Sequence, residues 1–231
     1  MTATAPSVPG LYVGTSGWSY PSWKPGFYPA ALKPTEFLEH YARRFQTVEL
    51  NTTGYRLPAE EQFERWAEAV PPDFRFAVTM SRRVTSRGRV EGVEAFEQSI
   101  RALGETLGPV RIKVPQAHDD GFLRLLVDSL SPEIRYVLDF RHDSWDDEDV
   151  TAALASRGMA RANDLEGDAP FRYLRLRDPP YDDSDLDAWA ERVGPALAAG
   201  IDVYCYFKHE DEPTAPRYAE RLLALADARA G

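Results

Sequence analysis

The sequence predicts one α/β domain, a single (β/α)8 barrel of the TIM type with parallel strands. Three observations carry that expectation. Short apolar runs with period-two alternation recur about eight times along the chain. Helical patterns separate them, as when parallel strands are joined by crossovers. No glycine-rich phosphate fingerprint follows the first run, which speaks against a doubly wound open sheet. At 231 residues the chain is slightly shorter than the ~250 usual for such a barrel.

Residues 1–10, MTATAPSVPG, carry no apolar run and no basic lead, so they predict a flexible tail without a secretory signal, and the domain spans 11–231. Leu11 to Thr15 is the first strand. It runs into a Gly/Pro-punctuated loop that crowds Trp18, Tyr20, Trp23, Phe27 and Tyr28 together. A helix follows from Pro34, an allowed first-turn proline, to Arg44. Thr47 to Asn51 is the second strand, and Leu57-Pro58 opens a helix with Phe63, Trp66 and Ala67 on one face. Arg75 to Met80 is the third strand; the polar loop SRRVTSRGR and a helix near Val93 to Leu103 come next. Leu107-Gly108-Pro109 is expected to break that helix before a fourth strand, Val110 to Val114.

Phe122 to Leu130 reads as helix and Arg135 to Trp145, RYVLDFRHDSW, as the fifth strand with a polar end. Val150 to Ser156 is a helix stopped by Gly158. Met159 to Asp164 is a weak sixth strand. Too few residues remain before Phe171 for an ordinary helix, so the sixth crossover is abbreviated. Phe171 to Arg177 is the seventh strand, Leu186 to Ala198 a helix, Val203 to His209 the eighth strand, and Tyr218 to Ala228 a closing amphipathic helix.

In a barrel wrapped by helices the outward strand positions are apolar, so the polar alternates point inward. The rule puts Thr47, Glu49 and Asn51 inside, with Arg75, Ala77 and Thr79, Arg111 and Lys113, and Asp139 and Arg141. It adds Tyr173, Arg175 and Arg177, then Tyr204, Tyr206 and Lys208. Buried charges need partners, so Glu49 and Asp139 should pair with Arg175 or Arg141. Lys113, Arg141, Arg177 and Lys208 lie nearest the C-terminal strand ends, where ligands bind in this fold. They make a cationic mouth suited to a phosphate, carboxylate or sugar acid.

Net charge is −10 with a pI near 5.0, which argues against general coating of nucleic acid or of an anionic membrane. No stretch approaches the ~20 apolar residues of a membrane span, so a soluble cytoplasmic protein is expected. The lone Cys205 falls inside an apolar strand and reads as a small buried hydrophobe. His40, His118, His142 and His209 lack ligand-like spacing, so no metal is expected, and no redox-cofactor motif appears.

Six segments occur in order: GTSGWSYPSWKPGFYP, TVELNTTGYRLP, the proline-closed strand at Val114-Pro115, DFRHDSW, YLRLR and YCYFKHEDEPTAP. Together they resemble the YecE-like family, catalogued as domain of unknown function 72, from about Tyr12 to Leu223. The resemblance implies a TIM-type barrel. Relatives tend to carry a lysine and a histidine where this chain has Thr79 and Ser86, a histidine at Arg177, and a polar amide at Lys113.

The candidate catalytic residues are Glu49, Asp139, His142 and Asp164; the candidate ligand-binding residues are Asn51, Trp18, Tyr20, Lys113, Arg141, Arg175, Arg177 and Lys208. Asp139, Arg141 and His142 could form an acid/base and anion-binding set, or a salt bridge that fixes the strand. Glu49 with Asn51 suits proton abstraction, or else Glu49 neutralises Arg175. Asp164 could face Asp139 for hydrolysis or cap a turn. The aromatic loop could stack a sugar or base, or plug the barrel top. The leading function is a small-molecule binder or enzyme acting on an anion by carboxylate chemistry, a hydrolase or isomerase. The alternatives are a nucleic-acid-processing or phosphodiester-binding protein with a basic rim at Arg82, Arg83, Arg87 and Arg89, and a non-catalytic scaffold.

Overall fold

Strands form where β-branched and aromatic residues alternate with polar ones, and helices form between them on one-sided apolar faces. The computed structural model describes residues 8–82, 84 and 90–230. In these, the strands are β1 (Leu11–Thr15), β2 (Thr47–Leu50), β3 (Arg75–Thr79), β4 (Leu107–Val114), β5 (Tyr136–Phe140), β6 (Ala160–Arg161), β7 (Phe171–Leu176) and β8 (Asp202–Phe207). The helices are α1 (Phe37–Ala42), α2 (Glu60–Glu68), α3 (Val93–Ile100), α4 (Asp120–Ser129), α5 (Glu148–Ala155), α6 (Asp183–Ala198) and α7 (Thr214–Ala230). All pairings are parallel, in a three-stranded sheet β1-β8-β7 and a five-stranded sheet β2-β3-β4-β5-β6. The expected residues 1–7, Arg83, Ser86, Arg87 and Arg89 lie outside the described residues.

Side chains cross both seams between the sheets. At the β1/β2 seam the Tyr41 hydroxyl of α1 accepts from the Thr15 N–H at 2.8 Å and donates to the Thr47 carbonyl at 3.2 Å. It replaces ladder bonds that the strands themselves do not make. The approach is close enough that a Cβ on Gly14 would run into the Thr47 carbonyl oxygen, so only glycine fits. At the β6/β7 seam Asn163 takes a left-handed backbone, φ 63°, which asparagine tolerates better than most residues. Its N–H donates to the Tyr173 carbonyl at 2.8 Å, and its side-chain carbonyl accepts from the Arg175 N–H at 2.7 Å.

Parity sorts the side chains into two layers. Val48, Leu50, Phe76, Val78, Ile112, Val114, Leu138, Leu174 and Leu176 pack with the helices. Ala77, Val137, Ala160, Phe171, Tyr173, Tyr204 and Tyr206 pack against one another on the inner face, large rings beside small residues. Glu49 lies on that inner face, fully buried, and ties distant strands together. Its carboxylate accepts from Ser16 Oγ at 2.8 Å after β1 and from Tyr173 Oη at 2.7 Å on β7. Arg175 adds Nε at 2.8 Å and Nη2 at 3.1 Å, a two-pronged pair.

Two expectations change. Leu107-Gly108-Pro109 belongs to β4 and not to a helix end; Gly108 lies against the β3 backbone, and the β3/β4 register shifts between Phe76 and Val78. The sixth strand is only Ala160–Arg161, because the chain turns out at Asn163. Of the two expected roles for the aromatic loop, packing holds for Trp23, Phe27 and Tyr28, which are buried core residues, with Trp23 Nε1 donating to the Glu210 carbonyl at 3.0 Å. The abbreviated crossover is present: no helix occurs between β6 and β7 among the described residues. No described helix is long and apolar enough to cross a membrane.

Two outcomes follow from this packing. Cys205 is fully buried on the helix-facing side of β8, and burial pushes its thiol pKa up, so it should resist thiol reagents until the protein unfolds. Rapid labelling of the folded protein would put β8 in the opposite register. Glu49 is held ionised far below the usual carboxylate range: burial opposes this, but Arg175 and Arg111 outweigh it. A lowered folded pKa stabilises above the unfolded value, and that stability is lost as pH falls. Glu49→Gln should therefore cost about 3–5 kcal/mol near neutrality, as expected for a broken buried ion pair. Its deficit in urea unfolding should shrink as pH drops below about 4.5, where the unfolded glutamate takes up a proton. A deficit that stays constant down to pH 3 would contradict the ionised pair.

Candidate functional site

Inward parity brings β2, β4, β5 and β7 to one charged layer near their C-terminal ends. Arg111 is its linchpin. Its Nε lies 3.3 Å from Glu49 Oε1, its Nη1 donates to Asp139 Oδ2 at 2.5 Å, and its Nη2 donates to Thr79 Oγ1 at 3.2 Å and Asn51 Oδ1 at 3.5 Å. Asp139 Oδ2 also accepts from Arg141 Nη2 at 2.7 Å and Arg175 Nη1 at 3.4 Å. Glu49, Asp139, Arg111 and Arg175 are all buried, and Arg141 is 42% exposed at the outer edge.

Charge does not balance in this layer. Two carboxylates, Glu49 and Asp139, face Arg111, Arg175, Arg141, Arg177 and Lys113. Arg177 is half-buried, and its Nη1 is buried without a hydrogen-bond partner among the described residues. Burial lowers its pKa, and Arg175, Arg111 and Arg141 lower it further against Glu49. Lys113 pairs in register with Asp139, yet its ammonium is also held below the usual lysine range, first by burial and then by Arg141.

The remaining expected residues scatter. Tyr20 donates to the Ser16 carbonyl at 2.7 Å and stacks on His209 with centroids 4.6 Å apart; burial and Glu49 push its phenol up to about 12. Lys208 is exposed just beyond β8. Trp18 stands edge-on to Trp66, with ring centroids 5.2 Å apart. His142 is exposed, and its Nδ1 accepts from the Ser144 N–H at 3.2 Å, because β5 ends at Phe140 and the chain turns. It caps a turn and does not join Asp139. Asp164 Oδ1 accepts from the Glu166 and Gly167 N–H groups at 2.9 and 3.0 Å, so it too caps a turn.

Glu49 and Arg175 hold each other, which leaves Glu49 poorly suited to proton abstraction and Arg175 with no guanidinium nitrogen outside the network. Arg111 is the residue that sequence reasoning underused: its inward parity is legible, but its contacts with both acids are not. Tyr173, Ser16 and Asn163 were likewise assigned no role. Among the described residues no group of three His, Cys, Asp or Glu side chains is placed to hold a metal ion.

A family model described as "Protein of unknown function DUF72" matches residues 12–231. The UPF0759 protein YecE of Escherichia coli K12 is 31% identical over 163 residues, 65% of this chain and 57% of that protein. Its counterpart in Escherichia coli O157:H7 is 31% identical over 161 residues, 64% of this chain and again 57% of the relative. The match thus spans less than two thirds of the length of these relatives. A DUF72 family protein from Thermotoga maritima has a similar fold, with a TM-score of 0.74 at 24% identity over 96% of this chain and 99% of that one. A DUF72 family protein from Enterococcus faecalis V583 gives 0.77 at 14% identity, over 94% and 95%. At these identities the structural likeness speaks for the fold alone. The family model runs through the strands that carry the charged layer, and on that match the chain belongs to the DUF72 family.

Proposed function

We propose that the two sheets act as one (β/α)8 barrel over residues 11–231, in a soluble cytoplasmic protein, and that its C-terminal mouth binds a small anion. A phosphate, carboxylate or sugar acid fits. The observation that carries this reading is the unbalanced charge at the mouth: Arg177 has a buried Nη1 without a partner among the described residues, and burial together with Arg141 holds Lys113 below the usual lysine range. Partly desolvated donors with too few internal acceptors favour an anion from outside. Any proton transfer falls to Asp139, which neighbours Lys113 in register, and not to Glu49. Hydrolysis or isomerisation of an anionic substrate is the catalytic extension. Phosphodiester binding would instead show a steep salt dependence with oligonucleotides.

Arg141 and Arg111 separate binding from architecture. Arg141→Ala leaves Asp139 held by Arg111 and Arg175, so the fold should persist. Sulfate affinity, read from the rise in melting temperature with sulfate, should fall roughly ten- to hundredfold, since a charged hydrogen bond contributes about 1.5–3 kcal/mol. Arg111→Ala removes the buried cation shared by both acids, leaving Glu49 to Arg175 and Asp139 to Arg141 and Arg175, and should cost about 3 kcal/mol of stability, more than Arg141→Ala. An Arg141→Ala protein that responds to sulfate as the wild type does would remove the anion site.

A further inference from the structure

A cleft of about 930 Å³ opens between α1 and α2, above the end of β2. Its walls are Trp18, Leu38, Leu50, Leu57, Pro58 and Trp66, with Gln62 and Thr52 as polar points. Both indoles are only partly buried. Size and lining match the concave, largely apolar sites that take small molecules. The charge on its walls is decisive. Arg56 and Arg65 line it and no carboxylate does, in a chain with 37 acidic residues and a net charge of −10. A smaller hollow of about 400 Å³ beside α5 has the opposite character, with Asp146, Asp147, Glu148 and Asp168 in its lining.

Two residues lie between the cleft and the charged layer. Asn51 lines the cleft, and its Oδ1 lies 3.5 Å from Arg111 Nη2. Tyr20 lines it too, and its phenol feels both Glu49 and Arg177. The geometry points to a ligand larger than a bare anion: an amphiphilic molecule with a phosphate or carboxylate head in the mouth and a flat aromatic body between Trp18, Trp66 and Leu57. This rests on the anion reading of the mouth and adds the class of molecule that carries the anion. Edge and face contacts with two indoles give such a body affinity that inorganic phosphate lacks.

Isothermal titration of the full chain with inorganic phosphate and with 1-naphthyl phosphate tests this. Naphthyl phosphate should bind at least about tenfold tighter. Trp66→Ala removes a wall of the cleft, and Ala59→Trp fills it from an exposed position should the first variant fold poorly. In either, the ratio of the two affinities should fall towards one. Equal binding of both probes by the wild type would leave the mouth reading standing and overturn the cleft. A ratio that survives both variants would also overturn it. Binding of neither probe would overturn the mouth reading and this inference together.

Discussion

The pairing of Glu49 with Arg175 across the interior is the constraint on which the remaining structure depends. A carboxylate with no exposed surface can stay ionised only if its surroundings return what water supplied. Arg175 does so with two prongs, Tyr173 and Ser16 complete the coordination, and Arg111 adds a second cation. These partners come from the end of β1, from β4 and from β7, so the charge requirement of one glutamate brings separate strands to a common register.

The position of that pair decides what the mouth can do. Arg175 is occupied below by Glu49, and Arg111 divides itself between Glu49 and Asp139. Of the cations above, Arg141 pairs with Asp139, already shared with Arg111 and Arg175, and Lys113 lies beside it in register. An acidic protein thereby carries a local excess of positive charge at these strand ends, the basis of the proposed anion site. Net charge governs solubility and encounter at a distance, whereas these few side chains govern the pocket.

Contact between the two sheets rests on polar side chains as well as on backbone bonds. Tyr41 supplies the missing donor and acceptor between β1 and β2, and Asn163 does so between β6 and β7. Backbone contacts at the seams are few, a bridge between Ser16 and Glu49 at one and the Asn163 N–H to the Tyr173 carbonyl at the other, and buried backbone groups without partners are costly. The same turn at Asn163 shortens β6 and sends Asp164 into a local cap, away from Asp139.

Period-two alternation was enough to determine which face of each strand is charged, because burial against helices excludes polar side chains from the outer face whatever the partners are. Glu49, Arg111, Asp139 and Arg175 could therefore be placed inside from residues alone, and the short β6–β7 connection from spacing alone. Which acid meets which arginine depends on strand stagger around the ring, to which local pattern is blind. Hence the central place of Arg111 emerged only in three dimensions. The places of His142 and Asp164 stayed open for a related reason: a strand's polar end looks the same in sequence whether the chain continues into the mouth or turns away. Leu107-Gly108-Pro109 shows the converse, since glycine and proline read locally as a helix stop, while contact with the β3 backbone makes the same residues part of a strand.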